Sequence, residues 1–163
     1  MEKDTNLAET QARRLEIVYE QLAAVLRQPE AARRLNTPTS DTEWSVLQIL
    51  GHMSEMIPYW LNHCQALIAT TAEPPQFGRA LDAPERLEGV ERGATGNPDE
   101  LLQLLHDEIR AAVPAIRGMT LADRQKKGLH IRQGEMTVAD IIELFIVSHA
   151  EDHLAQVRTT LGT

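Results

Sequence analysis

Hydrophobic residues recur at helical spacing along most of the chain and divide it into four long segments. In the first, from about Thr5 to Arg27, apolar positions repeat every three or four residues and predict a helix with one buried stripe. Pro29 follows, so this helix should end before it. The polar stretch 28–42 is expected to be a loop.

The second segment begins with a helix-start signal. Ser45 and Gln48 have the spacing of a capping box, in which each side chain bonds the backbone of the other residue. The apolar pattern then continues to about Ala72 through Pro58, which should kink the helix rather than end it. Residues 73–96 are rich in proline and glycine and are expected to form a long irregular connection.

The third segment also carries its own start and stop signals. Pro98 stands at a first helical position behind Asn97, and Gly118 is a plausible end. A short helical turn is predicted over 121–127, and residues 129–136 look extended.

The fourth segment starts at Thr137, and its inward face is predicted to carry Ile142, Phe145, His149, His153 and Gln156. Four amphipathic helices with no strands of consequence predict an all-α fold. The architecture is a four-helix bundle, and a single domain over residues 1–163 is long enough to bury its core.

Charge and composition narrow the classes of partner. The chain has 16 basic and 24 acidic residues, a net charge of −8 and no basic cluster, which argues against nucleic acid and against an anionic membrane surface. No apolar run is long enough to span a bilayer, and the first residues lack a hydrophobic signal core. The lone Cys64 fits a reducing compartment. A cytoplasmic protein acting on a small molecule is therefore expected.

Histidines carry the candidate chemistry. His149 and His153 are four residues apart, which places both rings on one helix face, about 6 Å apart along the axis. Neutral imidazole is a good ligand for zinc, nickel, copper or iron. Such a pair also arises by chance, with each ring simply hydrogen-bonded. A third histidine, His52, lies at the edge of the apolar face of the second helix and could complete a metal site.

The positions of these histidines along the bundle axis do not decide whether the three rings lie close together. His52 lies about 10 Å beyond its helix start, whereas His149 and His153 lie about 18 and 24 Å beyond theirs. In a simple up-down-up-down bundle, the second and fourth helices are parallel, so these heights do not match without stagger.

The other histidines and the cysteine have plainer interpretations. His63 is interpreted as an ordinary bundle residue and His106 as a surface residue. His130 could line the mouth of a pocket, but exposure to solvent is the favoured interpretation. Cys64 is interpreted as a packed core residue rather than a nucleophile.

Residues 44–55, from Trp44 through His52, resemble the first signature of the DinB-like superfamily. Residues 136–142, followed by residues 149–156 with His149 and His153, resemble its last signature. The resemblance implies an up-down-down-up bundle, in which the second and fourth helices are antiparallel and the mismatch in height is eased. It also implies a divalent metal, usually zinc or nickel, held by these three histidines, and it suggests a homodimer.

The resemblance further implies a function, because characterised relatives include transferases and isomerases that use mycothiol or bacillithiol. Three neutral ligands leave a metal coordination position open, where a water or a substrate thiol is activated. The expected activity is thiol S-transfer, with a low-molecular-weight thiol as cofactor, or hydrolysis. Glu55 is a candidate base, although a solvated helix carboxylate is the plainer interpretation. Gln156 is a candidate cofactor or substrate contact, or a core-edge residue. The alternative is a non-catalytic metal-binding stress-response or binding protein.

Overall fold

The computed structural model describes residues 2–71 and 73–163, with side chains from Asn6 onwards. Its helices are α1 (Glu2–Leu26), α2 (Val46–Ala69), α3 (Pro84–Thr95), α4 (Pro98–Arg117), α5 (Leu121–Gln125), α6 (Val138–Ile141) and α7 (Ser148–Leu161), with a 3₁₀ turn at Ala31–Arg33. A π-helical turn, Ile142–Val147, joins α6 to α7, so residues 138–161 form one C-terminal helix. The long helices α1, α2, α4 and this C-terminal helix form the predicted four-helix bundle.

Contacts between side chains show the directions of α1 and the C-terminal helix. Near the start of both helices, Gln11 donates a hydrogen bond to Glu143 at 2.9 Å. Near the end of both, Arg158 donates to Gln21 at 2.9 Å. Residue numbers rise together along the two helices, so they are parallel.

The two middle helices run the opposite way. Arg117, at the end of α4, pairs with Glu9 of α1 at 2.7 Å, which makes α4 antiparallel to α1. Trp60, in the second half of α2, stacks on Phe145 with ring centroids 4.5 Å apart, while the earlier His52 meets the later His153. The order of directions is therefore up-down-down-up, as the resemblance implied.

Residues 73–96 do not form an irregular connection, so that prediction was wrong. Pro84 begins α3, a helix that packs against α2. The two backbones approach so closely that a Cβ on Gly51 would lie 2.3 Å from the carbonyl oxygen of Gly89. Proline and glycine suggested a loop, yet here proline occupies a first helical position and glycine permits close packing.

No strands of consequence were expected, whereas the described residues include three short ones. β1 (Gln76–Phe77) pairs in parallel with β2 (Lys127–His130), and β2 pairs antiparallel with β3 (Gly134–Thr137). The extended prediction for residues 129–136 falls within this hairpin, and the helical turn predicted over 121–127 corresponds to α5. Strands of two to four residues are too short for alternation to stand out from chance.

The predicted helix boundaries agree closely with the structure. Ser45 and Gln48 form the capping box at the start of α2, and the helix continues through Pro58. It ends at Ala69, and the predicted end, Ala72, lies outside the described residues. The C-terminal helix begins behind Thr137, whose hydroxyl accepts a bond from the amide of Asp140.

Aliphatic side chains from every long helix fill one buried cluster. Its fully buried members include Leu15 and Leu22 of α1, Leu50 and Met53 of α2, and Leu105 of α4. None of the helices in the described part of the chain is both long and apolar enough to cross a membrane.

Candidate metal centre

His52 lies in the second turn of α2 and points into the bundle. Its side chain is 1% exposed because the helix presents this face to the core. The indole of Trp44, just before the start of the helix, packs 5.0 Å from the imidazole. The helix start thus positions both the ligand candidate and the aromatic ring that shields it.

His149 and His153 lie in α7 and face His52. The centroids of the His149 and His153 rings are 4.6 Å apart, and those of His52 lie 5.6 and 4.9 Å from them. One nitrogen from each histidine lies within 4.8 Å of the others. A tetrahedral ion needs ligand nitrogens roughly 3.3 Å apart, so small side-chain rotations would bring them to bonding distance.

Several of these nitrogens are buried without a hydrogen-bond partner in the described structure. They are both ring nitrogens of His52 and Nε2 of His153. Burying a polar atom without a partner costs free energy, and most buried polar atoms are therefore paired. A metal ion would satisfy one nitrogen of each ring. The donor set therefore fits a divalent metal that prefers nitrogen ligands.

Burial also keeps the rings in the form that binds metals. It lowers the pKa of His52 to about 2 and that of His149 to about 4, with further lowering by the neighbouring histidines. Burial lowers the pKa of His153 as well. All three imidazoles are therefore neutral at neutral pH, and no proton has to leave before a metal can bind.

Gln156 contacts a ligand candidate directly. Its Oε1 lies 2.9 Å from Nδ1 of His153, one helical turn before it. Because this oxygen only accepts hydrogen bonds, Nδ1 carries the proton and Nε2 remains free to face the other histidines. Gln156 therefore positions His153, and its contact with a cofactor or substrate stays a prediction.

Glu55 is not the solvated carboxylate that was expected. It forms a bidentate ion pair with Arg79, in which Nη2 donates to Oε2 at 2.7 Å, and both side chains are nearly buried. The guanidinium lies 3.9 Å from the centroid of the Tyr59 ring. The sequence hid this pairing because Arg79 lies 24 positions away in the stretch interpreted as irregular.

A pocket of about 290 Å³ opens beside His52 and His149. Trp60 and Phe145 form part of its wall, and Arg79, Arg86 and Arg132 are its charged lining residues. No motif or spacing in the sequence identified these arginines.

His130 is buried in the wall of this pocket, so the expectation of exposure was wrong. Its Nδ1 accepts hydrogen bonds from the backbone amides of Arg132 and Gln133 at 3.1 and 3.0 Å. Its ring stacks on Phe145, with centroids 5.0 Å apart. The hairpin turn therefore holds this ring in place.

The other candidates lie apart from the histidine group. His63 packs half-buried against the rings of Tyr59 and Phe77, and His106 packs against Tyr19 in another cavity. Burial raises the pKa of the Cys64 thiol to about 12, which suits a core residue and not a nucleophile.

Several solved structures share this fold. YfiT from Bacillus subtilis, described as a probable metal-dependent hydrolase with an unusual four-helix bundle topology, matches with a TM-score of 0.68. The match has 18% sequence identity and covers 98% of this chain and 84% of YfiT. A histidine-to-alanine mutant of a mycothiol-dependent maleylpyruvate isomerase matches with a TM-score of 0.64 and 16% identity. That match covers 93% of this chain but 59% of the isomerase, so the chain spans little more than half of that protein.

Sequence comparison identifies the family. No curated protein matches the chain in sequence. The family model of the DinB superfamily matches residues 11–157, which include all three histidines of the group, the whole of α2 and α4, and most of α1 and of the C-terminal helix. The chain belongs to the DinB superfamily.

Proposed function

We propose that this protein is a metal-dependent enzyme that acts on a small molecule, by thiol S-transfer or by hydrolysis. His52, His149 and His153 hold the ion, which is zinc or nickel. The observation that carries the proposal is the convergence of three neutral imidazoles, of which both ring nitrogens of His52 and Nε2 of His153 are buried without a partner in the described structure. Ordinary core histidines have such nitrogens hydrogen-bonded.

The number of ligands favours a reaction over a purely structural role. Structural zinc sites have four protein ligands, whereas catalytic sites keep one position open. Among the described residues, the group contains three histidines and no cysteine or carboxylate. A divalent metal held there supplies Lewis acidity, which activates a water or a thiol at neutral pH.

The chain's own residues complete the site. Gln156 holds the ring of His153 so that Nε2 of the histidine is directed towards the other histidines. The pocket admits a small molecule next to His52 and His149, and Trp60 and Phe145 shield one side from water. Exclusion of water strengthens electrostatic interactions with a bound substrate.

The structural neighbours support both reaction types without choosing between them. YfiT is described as a probable metal-dependent hydrolase, and the isomerase as mycothiol-dependent. A hydrolase needs only water as its second reactant, whereas a transferase needs a thiol. Dependence of turnover on an added low-molecular-weight thiol therefore separates the two.

Metal analysis tests the site itself. The purified protein should contain about one zinc or nickel ion per chain, and His149→Ala should lose most of it because only two ligands remain. His106→Ala is the matched control, since it removes a histidine from α4, outside the group. Unchanged metal content in the His149→Ala protein, with its helical circular dichroism intact, would exclude the three-histidine site.

Turnover tests the activity. The metal-loaded protein is assayed with electrophiles in the presence of mycothiol, bacillithiol or glutathione, and with esters and amides in their absence. Turnover that disappears in the His149→Ala variant supports the proposal. A loaded protein that is inactive throughout favours the non-catalytic metal-binding alternative.

A further inference from the structure

The charged side chains that line the histidine pocket are all arginines. Arg79, Arg86 and Arg132 reach it from three different segments, whereas the chain as a whole carries a net charge of −8. A pocket with a positive lining in an acidic protein calls for an explanation, because like charges brought together repel one another.

Arg79 has a structural explanation. Its charge is balanced by Glu55, and the side chains of the two residues are 8% and 11% exposed. A buried pair with bidentate geometry leaves this guanidinium little capacity to receive a further anion.

Arg86 has no such partner. No carboxylate in the described part of the chain forms an ion pair with it, and its Nη1 donates to the carbonyl oxygen of Leu81 at 2.7 Å. Its guanidinium lies 4.9 Å from the centroid of the Trp44 ring, which in turn packs against His52. Cation–π contact orients the charge but does not neutralise it.

Arg86 also shares the lining of the pocket with two members of the histidine group, His52 and His149. A positive charge in the same pocket acts on whatever is bound beside these rings.

Arg132 lies in the turn between β2 and β3 and is exposed. Its side chain donates a long hydrogen bond, 3.4 Å, to the carbonyl oxygen of Arg79, and it forms no ion pair with the carboxylates that the structure describes. Together, Arg86 and Arg132 place around one pocket two guanidinium groups that form no ion pair with a described carboxylate.

We propose that the pocket binds a small organic oxyanion, whose carboxylate or phosphate group contacts Arg86 and Arg132 while its reactive end faces the three histidines. The planar fork of a guanidinium matches the paired oxygens of either group. A volume of about 290 Å³ lies at the lower end of the range for small-molecule pockets, which favours a compact ligand. This inference deepens the proposed function and rests on it for the identity of the reacting site.

Calorimetric titration tests the inference with matched probes. Succinate and inorganic phosphate are titrated into metal-loaded and metal-free protein, with succinamide as the neutral counterpart of succinate. At least one oxyanion should bind at least tenfold more tightly than succinamide, and its affinity should fall as salt is added. Arg86→Gln and Arg132→Gln should each weaken that binding about tenfold, since each removes a charge-assisted contact.

Arg92→Gln is the matched control, because it removes the same charge from α3 at an exposed position outside the pocket. Arg86→Lys keeps the charge and should retain part of the affinity. Circular dichroism of each variant detects any loss of folding. The comparison of succinate with succinamide uses the wild-type protein, so it does not depend on the folding of a variant.

Equal binding of charged and neutral probes would overturn the inference, as would an equal effect of Arg92→Gln. The two proposals fail separately. Arginine-dependent oxyanion binding by metal-free protein, combined with unchanged metal content in His149→Ala, keeps the anion site and rejects the metal site. Equal binding of charged and neutral probes, combined with loss of metal from His149→Ala, keeps the metal site and rejects the anion site.

Discussion

The cavity between α1 and α4 is larger than the histidine pocket, about 470 Å³ against about 290 Å³. Both cavities contain arginine, histidine and aromatic side chains. In the cavity between α1 and α4, Arg13 pairs with Glu16 and Glu20 at 3.1 and 3.0 Å. In the histidine pocket, Arg86 has no carboxylate partner among the described residues.

The histidines of the two cavities differ in the same way. His106 is exposed enough to be solvated, and its Nδ1 lies 3.4 Å from both Gln103 and Asp107. His52 is buried, and neither of its ring nitrogens has a hydrogen-bond partner in the described structure. Unsatisfied polar groups held in place by a rigid fold, rather than volume, therefore distinguish the candidate site.

The largest expected effect is the response of the metal-free protein to acid. The unfolded state takes up protons below about pH 6.5, whereas the folded state holds His149 neutral down to about pH 4 and His52 to about pH 2. The unfolded state then binds more protons, so stability falls as pH decreases below 6.5 and is unaffected by these groups above it. Between pH 6.5 and 5, each of the two histidines should cost about 2 kcal/mol.

Urea denaturation at pH 7 and at pH 5 measures this loss. His149→Gln should reduce this loss by about 2 kcal/mol, because glutamine takes up no proton in this range. If His106→Gln reduced the pH dependence of stability as much as His149→Gln does, the two cavities would not differ in this property.

The next largest effect concerns α3, which packs against α2 and contributes Arg86 to the lining of the histidine pocket. In Gly51→Ala, the new Cβ would lie 2.3 Å from the Gly89 oxygen and 2.6 Å from the Gly93 nitrogen, both backbone atoms. Although alanine usually stabilises a helix, this overpacking should lower the free energy of unfolding by about 1–3 kcal/mol. Because α3 also carries Arg86, oxyanion affinity should fall as well.

Thermal denaturation and calorimetric titration measure both consequences of Gly51→Ala. Glu91→Ala, at an exposed position of α3, is the control and should change neither the stability nor the oxyanion affinity. Normal stability of the Gly51→Ala protein would mean that α3 can move away from α2 at little cost.

A smaller effect is expected from two glutamines that each contact Nδ1 of a histidine three residues away, Gln156 through its oxygen and Gln103 through its nitrogen. Gln156→Ala removes the acceptor that holds Nδ1 of His153, and the affinity for zinc should fall about 10- to 100-fold. Gln103→Ala removes the corresponding contact of His106 and should leave the affinity unchanged. Competition with a chelating dye measures both affinities, and equal affinities would show that Gln156 does not position the ligand.

The smallest effect is expected in the cavity between α1 and α4. Arg13→Ala breaks two ion pairs at the protein surface, which should leave the free energy of unfolding almost unchanged because solvent screens such pairs. Metal content and oxyanion affinity should stay the same. A clear loss of either would show that the larger cavity communicates with the histidine pocket.

The helices could be predicted because their signals are local. The capping box of Ser45 and Gln48 and the start behind Thr137 involve residues within one turn of each other. The α3 helix was missed because its glycines serve a contact with α2 that lies far away in the sequence. The extended segment 129–136 was predicted, but β1 and its pairing were missed because that pairing, such as Gln76 with Leu129, joins segments that are distant along the chain.

The sequence by itself determined four amphipathic helices and the pairing of His149 with His153, since both follow from helical periodicity. The tertiary structure decided that His52 joins them, because this requires α2 and the C-terminal helix to be antiparallel and adjacent. It also decided that Glu55 is paired with Arg79 and that Arg86 reaches the same pocket. Charge balance within a cavity depends on which distant segments meet there, and no local pattern records that.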